Sequence, residues 1–341
     1  MSNIIQTAPA EGRRRTSQSS ASSRPKIRCR EIRPEDLHNV VNLLVIGFPE
    51  RTRDCWLKVI QLLARHRTPA GFPKYGYLLE CDETAVGVSL LIFTSLGDEG
   101  NSRVRCNICS WYVKTEFRSY ASVVGFREQR PNEVTYFNVT PASHTFATLE
   151  SRGYKRSSDG WFVAVPWLSR RSQKATVTDW SPGIAAHKGL LAWEADLLET
   201  HASYGCICVI VNSAGESFPF IFAPRRMRPR AGSVSFGHLV YCRQRIDFVR
   251  FAGQLGRFLL RRGVLLTVVD SNEPIEGLVG KYIQGRPKYY KGPDKPRLGD
   301  LAYTELAMFG LSDWIWRDWR SVFAEIKQTI KSLHLKLTEA N

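Results

Sequence analysis

Apolar and polar positions in the first third of the chain change period several times, and each period indicates one element type. Lys26–Ile32 alternates, which predicts a strand, and Arg33–Asp36 then places a proline and two acids at a helix start. Two amphipathic helices follow, and two β-rich runs predict a hairpin. The helical stripes are Leu37, Val40, Val41, Leu44 and Val45, then Trp56, Val59, Ile60 and Leu63, and the hairpin strands are Tyr75–Glu80 and Val86–Thr94.

The most informative segment is Val134–Tyr154, which follows a predicted strand at Val104–Val113. Its sequence, VTYFNVTPASHTFATLESRGY, indicates a strand, a tight cap, a short helix and a Gly-Tyr exit in one continuous run. The first half therefore has the predicted order strand, two helices, hairpin, strand, strand and helix.

The second half repeats the later part of this order. Its apolar runs predict a hairpin, a strand, a helix and another strand. These segments are Gly205–Asn212, Phe218–Phe222, Phe236–Cys242, the helical stripe from Phe248 to Leu259, and Val264–Val269. We expect the run Leu301–Gly310 to close the second sheet.

Composition sets the expected domain limits. Residues 1–25 are rich in serine and basic residues and poor in apolar ones, which predicts a disordered basic arm. Ser169–Lys188 combines charge, proline and glycine without a sustained period, which indicates a boundary. We expect domains at 26–168 and 201–311, a linker and helix at 169–200, and an amphipathic helix at 312–341 that docks on its own protein, on another subunit or on an anionic membrane surface.

The element order and the Val134–Tyr154 segment resemble the GNAT superfamily of acyl-CoA acyltransferases. The resemblance implies an α+β fold with two GNAT-like domains, each a mixed, mostly antiparallel sheet flanked by helices. It also implies that the strand at Val134 diverges from its neighbour and leaves a V-shaped cleft for the acyl-CoA thioester, with the following helix as one wall.

Members of this family hold the CoA pyrophosphate with a glycine-rich turn after the fourth strand, where backbone N–H groups point at the phosphates. The matching segment here is Phe117–Ser122, which keeps an arginine and has small residues where glycines are usual. The alternative is a plain strand-to-helix turn with a surface arginine. The resemblance implies that acyl-CoA, as co-substrate, is held by Val113, Arg118, Ser119, Tyr120, Ala121, Ser122 and Asn138.

Family members often carry an asparagine and a proton-donating tyrosine on the helix that walls the cleft, and the matching positions here are Ala142 and Leu149. Leucine transfers no proton, so other groups must supply the acid or base chemistry. The candidates that flank the predicted cleft are Tyr112, Glu116 and His144. Each has a structural alternative, as a packing residue or an exposed loop or helix-start residue.

The formal net charge of +16 indicates an anionic partner, which could be coenzyme A, nucleic acid or a membrane surface. The first hypothesis is an enzyme that moves an acyl group from acyl-CoA to an unidentified amine or hydroxyl acceptor. The alternative is a catalytically degenerate GNAT-like protein that binds nucleic acid or a charged glycan. Two basic segments, Arg225–Arg230 and Lys288–Arg297, are the predicted contacts for such a polymer, and the alternative for both is a solvated, proline-stiffened surface loop.

Eight cysteines lie mostly within apolar runs, as expected for reduced, buried thiols. Cys106 and Cys109 have the spacing of half a zinc site, but no second pair follows at ligand distance, so we expect no metal. The sequence has no apolar run of about 18 residues, the length of a membrane span. We therefore expect a cytoplasmic protein without a transmembrane segment.

Overall fold

The computed structural model describes residues 26–97, 102–123, 133–170, 174–181, 188–227 and 234–310, together with Gln328. The predicted basic arm at 1–25 and the predicted C-terminal helix at 312–341, apart from that one residue, lie outside the described residues.

The first half has the predicted element order. The two helices form because Val40, Leu44, Trp56 and Leu63 recur on one face of each helix and are buried against the sheet. Burial of side chains of this size stabilises the fold by about 1.5–3 kcal/mol each. The elements are β1 (Ile27–Glu31), α1 (Leu37–Gly47), α2 (Arg53–Arg65), β2 (Gly76–Cys81), β3 (Thr84–Leu96), β4 (Arg103–Val113), β5 (Val134–Asn138), α3 (Phe146–Ser151) and β6 (Lys155–Ala164).

The second half also contains its predicted hairpin, strand, helix and strand. Two of its elements differ from expectation, because the segment expected as a linker includes a strand and Leu301–Gly310 contains a short helix instead of the closing strand. The elements are β7 (Ala175–Asp179), α4 (Ala192–Ser203), β8 (Ile207–Ser213), β9 (Glu216–Met227), β10 (Val234–Cys242), α5 (Arg245–Leu260), β11 (Val264–Ser271), β12 (Gly280–Lys291) and α6 (Glu305–Met308).

The strands of the described residues form one twelve-stranded sheet in the order β1-β2-β3-β4-β5-β12-β6-β11-β10-β9-β8-β7. The pattern of parallel and antiparallel pairs is the same from either edge of the sheet. The fourth and fifth strands from each edge, β4 with β5 and β10 with β11, are parallel, and the other neighbouring pairs are antiparallel. The last strand of each half pairs with the other half, because β12 lies beside β5 and β6 lies beside β11. The predicted mixed, mostly antiparallel fold is confirmed, with the two sheets fused into one.

The exchanged strand β12 lies in the segment that was predicted to be a basic surface loop. Tyr289 is fully buried, and Lys288 is 2% exposed with its ammonium 2.5 Å from the Asp270 carboxylate of β11. Burial of this cation is possible because a carboxylate accompanies it into the core. The expected contact of Lys288 with an anionic polymer is therefore wrong.

The second basic segment is also partly inside the protein. Arg225 on β9 is 4% exposed, burial lowers its pKa to about 10, and its guanidinium donates to the Leu306 carbonyl. Its predicted role in binding a polymer is therefore wrong as well, and residues 228–230 lie outside the described residues.

Candidate active site at the split between β4 and β5

The parallel strands β4 and β5 separate before either has ended. Their ladder pairs Val104–Asn107 with Val134–Phe137 and stops there, whereas β4 continues to Val113. A bulge at the left-handed Ser110, with φ of +49°, bends β4 within this free stretch. Beyond this ladder, the β5-facing edge of β4 pairs with no strand of the described residues, and a strand edge without a partner strand can offer N–H and C=O groups to an extended ligand.

Asn107 lies at the vertex of this split and joins its two sides. Its amide nitrogen donates to the Ile108 carbonyl at 3.2 Å and to the Phe137 carbonyl at 3.4 Å. Its amide oxygen accepts from the main-chain N–H of Glu305 at 2.6 Å. These partners fix the amide orientation, because carbonyls require a donor and an N–H requires an acceptor.

Glu305, the first residue of α6, thus sits at the vertex although it is far away in sequence. The residue is 3% exposed, and its carboxylate accepts a hydrogen bond from Thr140, which follows β5. Burial raises the pKa of Glu305 to about 7, against the opposing effects of that hydrogen bond and of the Arg51 charge. A carboxyl with a pKa near the working pH is suited to accept a proton.

The turn predicted to hold the pyrophosphate follows directly from the open stretch of β4. Thr115–Tyr120 forms a 3₁₀ helix in which the side chains of Glu116, Arg118 and Ser119 are exposed. Two N–H groups in and just after this helix already have partners. The Phe117 N–H donates to the Lys114 carbonyl at 2.9 Å, and the Ala121 N–H donates to the Arg118 carbonyl. The half-buried Tyr120 and Ala121 pack on the sheet beside β1 and β2, and Ser122 is also half-buried.

The other predicted site residues lie on different sides of the split. Tyr112 is half-buried on the α1 side, in the cluster that also contains Met308 and Phe309, and Val113 is buried at the end of β4. Asn138 is half-buried at the end of β5 and pairs with Tyr289 of β12. His144 is exposed in the short 3₁₀ turn before α3.

The helix α3 lies on the opposite face of the sheet from Glu305. Leu149, at the position of the family's tyrosine, is buried with Ile108 and Tyr136 in the core beneath α3. The neighbouring Glu150 accepts a hydrogen bond from Tyr289 at 2.9 Å, and its bonds to Arg156 and Tyr289 lower its pKa. The wall of the cleft on this face is therefore apolar at the position where an active acid is usual.

Sequence reasoning missed the three residues that meet at the vertex, which are Asn107, Thr140 and Glu305. Asn107 was recognisable in the sequence, because an amide in the middle of the apolar run VRCNICSWYV requires buried hydrogen-bond partners. No local pattern links Glu305 to β4, since the two are brought together only by the path of the chain between the halves.

The expected absence of a metal centre rested on an incomplete ligand pattern. Cys106 and Cys109 are buried in clusters on opposite faces of β4, so they do not converge on one ion. Within the described ranges, no group of three or more His, Cys, Asp or Glu side chains could hold a metal. None of the helices in the described part of the chain is long and apolar enough to cross a membrane.

Comparison with known proteins identifies the fold. No family model and no curated protein matches the chain. It is similar to a putative acetyltransferase from Pyrococcus horikoshii, with TM-score 0.50, 12% identity, and coverage of 83% of this chain and 95% of that chain. It is also similar to a GCN5-related N-acetyltransferase from Anabaena variabilis, with TM-score 0.51, 10% identity, and coverage of 78% and 72%. With its parallel β4–β5 pair and the split that follows, this chain has the fold of the GCN5-related N-acetyltransferase (GNAT) superfamily.

Proposed function

We propose that the protein is an acyltransferase that moves an acyl group from acyl-CoA to an amine or hydroxyl acceptor at the split between β4 and β5. The observation that carries this proposal is the combination of an open strand edge with a buried carboxyl, Glu305, whose pKa is raised to about 7. The similar folds support the same class of reaction, and the acceptor and the acyl chain are left open.

The acyl-CoA would lie along β4 as an added strand. The pantetheine arm contains two amide groups, which suit the backbone of β4 beyond its ladder with β5, as in other cases where an extended ligand pairs with a sheet edge. The pyrophosphate would lie at the exposed turn, where Arg118 supplies charge and Ser119, Ala121 and Ser122 have small side chains. The half-buried Asn138 would border the pantetheine from the β5 side.

The reaction would depend on the positioning of the two substrates and on one proton acceptor, Glu305. The acceptor nitrogen or oxygen attacks the thioester carbon while Glu305 takes its proton, and collapse of the tetrahedral intermediate expels the CoA thiolate. Backbone N–H groups of β4 would stabilise the oxyanion. Tyr112, Glu116 and His144 are the candidates to protonate the leaving thiolate.

Titration calorimetry with acetyl-CoA and longer acyl-CoAs tests the binding step, on the unaltered protein and on Arg118→Glu. We expect Arg118→Glu to weaken binding by about tenfold or more, because a charge-assisted phosphate contact becomes a repulsion. Arg33→Glu is the matched control, since Arg33 is also exposed and follows the edge strand β1, three strands away from β4. Equal affinities for the two variants would contradict the assignment of the turn.

A further inference from the structure

The second half contains a split equivalent to the one between β4 and β5. The parallel ladder of β10 and β11 ends at His238 and Val268, while β10 continues to Cys242. By the matching strand order, this is where a second acyl-CoA would enter. The edge of β10, however, is already occupied.

The occupant is a segment of the same chain, Gly299–Leu301, which we call the plug. The Cys242 N–H donates to the Gly299 carbonyl at 3.2 Å, and the Leu301 N–H donates to the Val240 carbonyl at 2.7 Å. Asp300 lies between them, opposite Tyr241 in an antiparallel bridge. The plug thus pairs with β10 beyond the β10–β11 ladder, in the stretch that corresponds to β4 beyond the β4–β5 ladder.

The plug also forms an ion pair with the first half of the chain. Asp300, with a side chain only 4% exposed, accepts from Arg105 of β4 at 2.8 Å and lies 3.6 Å from Arg297. Arg297 in turn donates to the Cys242 carbonyl at 3.2 Å. The partly buried Arg105–Asp300 pair fixes the plug relative to the same strand that carries Asn107, two residues further along.

A tight turn connects the plug to Glu305. The Leu301 carbonyl accepts from both the N–H and the hydroxyl of Thr304, at 3.2 and 2.7 Å. The left-handed Tyr303, with φ of +55°, donates its N–H to the buried His201 at 3.1 Å. Because Leu301, Tyr303 and Thr304 are held in this way, the position of the Glu305 carboxyl depends on the plug.

We propose that the second half binds no acyl-CoA and instead positions the base for the first half, with the plug as the anchor and Asp300 as the positioning residue. The proposal rests on the acyltransferase function proposed above. The proposal accounts for the occupied edge of β10, because the plug that fills the second split also fixes the segment that leads to Glu305. Preorganisation of this kind matters since a displacement of about 1 Å can reduce the rate by about a hundredfold.

Two variants test the anchor. Asp300→Asn removes the charge that holds Arg105, and Gly299→Ala places a side chain at φ of +82° with its Cβ 3.3 Å from the Cys242 sulfur. Gly299→Ala retains the ion pair, so it provides the test if Asp300→Asn does not fold. Asp179→Asn, which alters an exposed ion pair on the edge strand β7, is the control for the loss of a carboxylate.

The first measurement is the number of acetyl-CoA molecules bound per chain, where we expect one and where two would overturn the proposal. The second is the pKa of Glu305, followed by NMR of its labelled carboxyl group without any ligand. We expect about 7 in the unaltered protein and a fall by about one unit or more in both plug variants, as water reaches the loosened carboxyl. An unchanged Glu305 pKa in the plug variants would overturn the proposal.

Kinetics add a readout that general destabilisation would not produce. In Asp300→Asn we expect kcat to fall by about tenfold or more while the dissociation constant of acyl-CoA stays within about twofold. Equal loss of kcat in Asp179→Asn would overturn the positioning role. If no acyl-CoA binds to the unaltered protein, the proposed function fails, and the ligand-free titration of Glu305 still decides whether the plug positions it.

Discussion

Replacing Glu305 with glutamine removes the ionisable group at the vertex of the cleft and keeps its shape. Glutamine retains an oxygen that can accept the Thr140 hydrogen bond, and the main-chain bond to Asn107 is unaffected. The change therefore isolates the effect of the charge. We expect it to stabilise the protein at high pH and to reduce its activity.

The sign of the stability effect follows from the pKa. Burial raises the pKa of Glu305 from 4.5 to about 7 in the folded protein. The folded state thus favours the neutral acid, so this stabilising contribution is complete below pH 4.5 and is lost as the pH rises through 7. At about 1.36 kcal/mol per tenfold change in the acidity constant, the loss amounts to about 3 kcal/mol.

Urea unfolding at pH 4.5 and at pH 8 measures this effect. The difference in unfolding free energy between Glu305→Gln and the unaltered protein should become more favourable to the variant by about 3 kcal/mol at the higher pH. Glu199→Gln is the control, since Glu199 is an exposed carboxylate on α4. A difference that does not change with pH would refute the claim that Glu305 is a buried acid with a raised pKa.

The same variant should lose activity. General acid–base catalysis contributes about 10²–10⁴-fold, so kcat/KM should fall by about that factor. In the unaltered protein kcat/KM should rise with pH through about 7, as Glu305 ionises, and Glu305→Gln should lack that rise.

Three further changes test the surroundings of the cleft and the core. Asn107→Leu should cost about 1–3 kcal/mol in urea unfolding, because the Glu305 N–H and two carbonyls lose a buried partner; no loss would contradict the bridge. Asp270→Asn should cost about 3–5 kcal/mol by leaving Lys288 buried without its carboxylate. Asp159→Asn, which alters a half-exposed carboxylate, should cost less than about 1 kcal/mol. Gly47→Ala places a Cβ 2.4 Å from the Cγ of Tyr112, so thermal melting should show a loss of about 1–3 kcal/mol from overpacking.

Elements with a clear period were predictable from the sequence. The stripe of α2, which contains Trp56, Val59, Ile60 and Leu63, has all four side chains buried, and the segment Val134–Tyr154 forms the expected strand and short helix. In both cases the residues that determine the element are neighbours in sequence. Local pattern and packing then favour the same structure.

The exchanged strand β12 was not predictable in this way. Its charged residues are typical of a surface loop, and Lys288 is accommodated only because Asp270 of β11 lies beside it in the folded sheet. The apolar run Leu301–Gly310 was misassigned for the opposite reason. Its apolar side chains are buried by packing between the halves, and its backbone forms the last residue of the plug, a turn and a short helix.

The candidate site was predictable in outline only. The resemblance predicted the split, the turn at Arg118 and the helix that contains Leu149, because these follow one another along the chain. Glu305 is separated from Asn107 by 198 positions, so its role depends on a long-range path that single-sequence patterns do not encode.

The central claim is that acyl-CoA binds along the open edge of β4, and amide hydrogen exchange with and without acetyl-CoA tests it most directly. We expect acetyl-CoA to slow exchange at cleft-facing amides of Ile108–Val113 and to leave Leu239–Cys242 of β10, where the plug lies, unchanged. Protection confined to β10, or no protection anywhere at millimolar acetyl-CoA, would contradict the account.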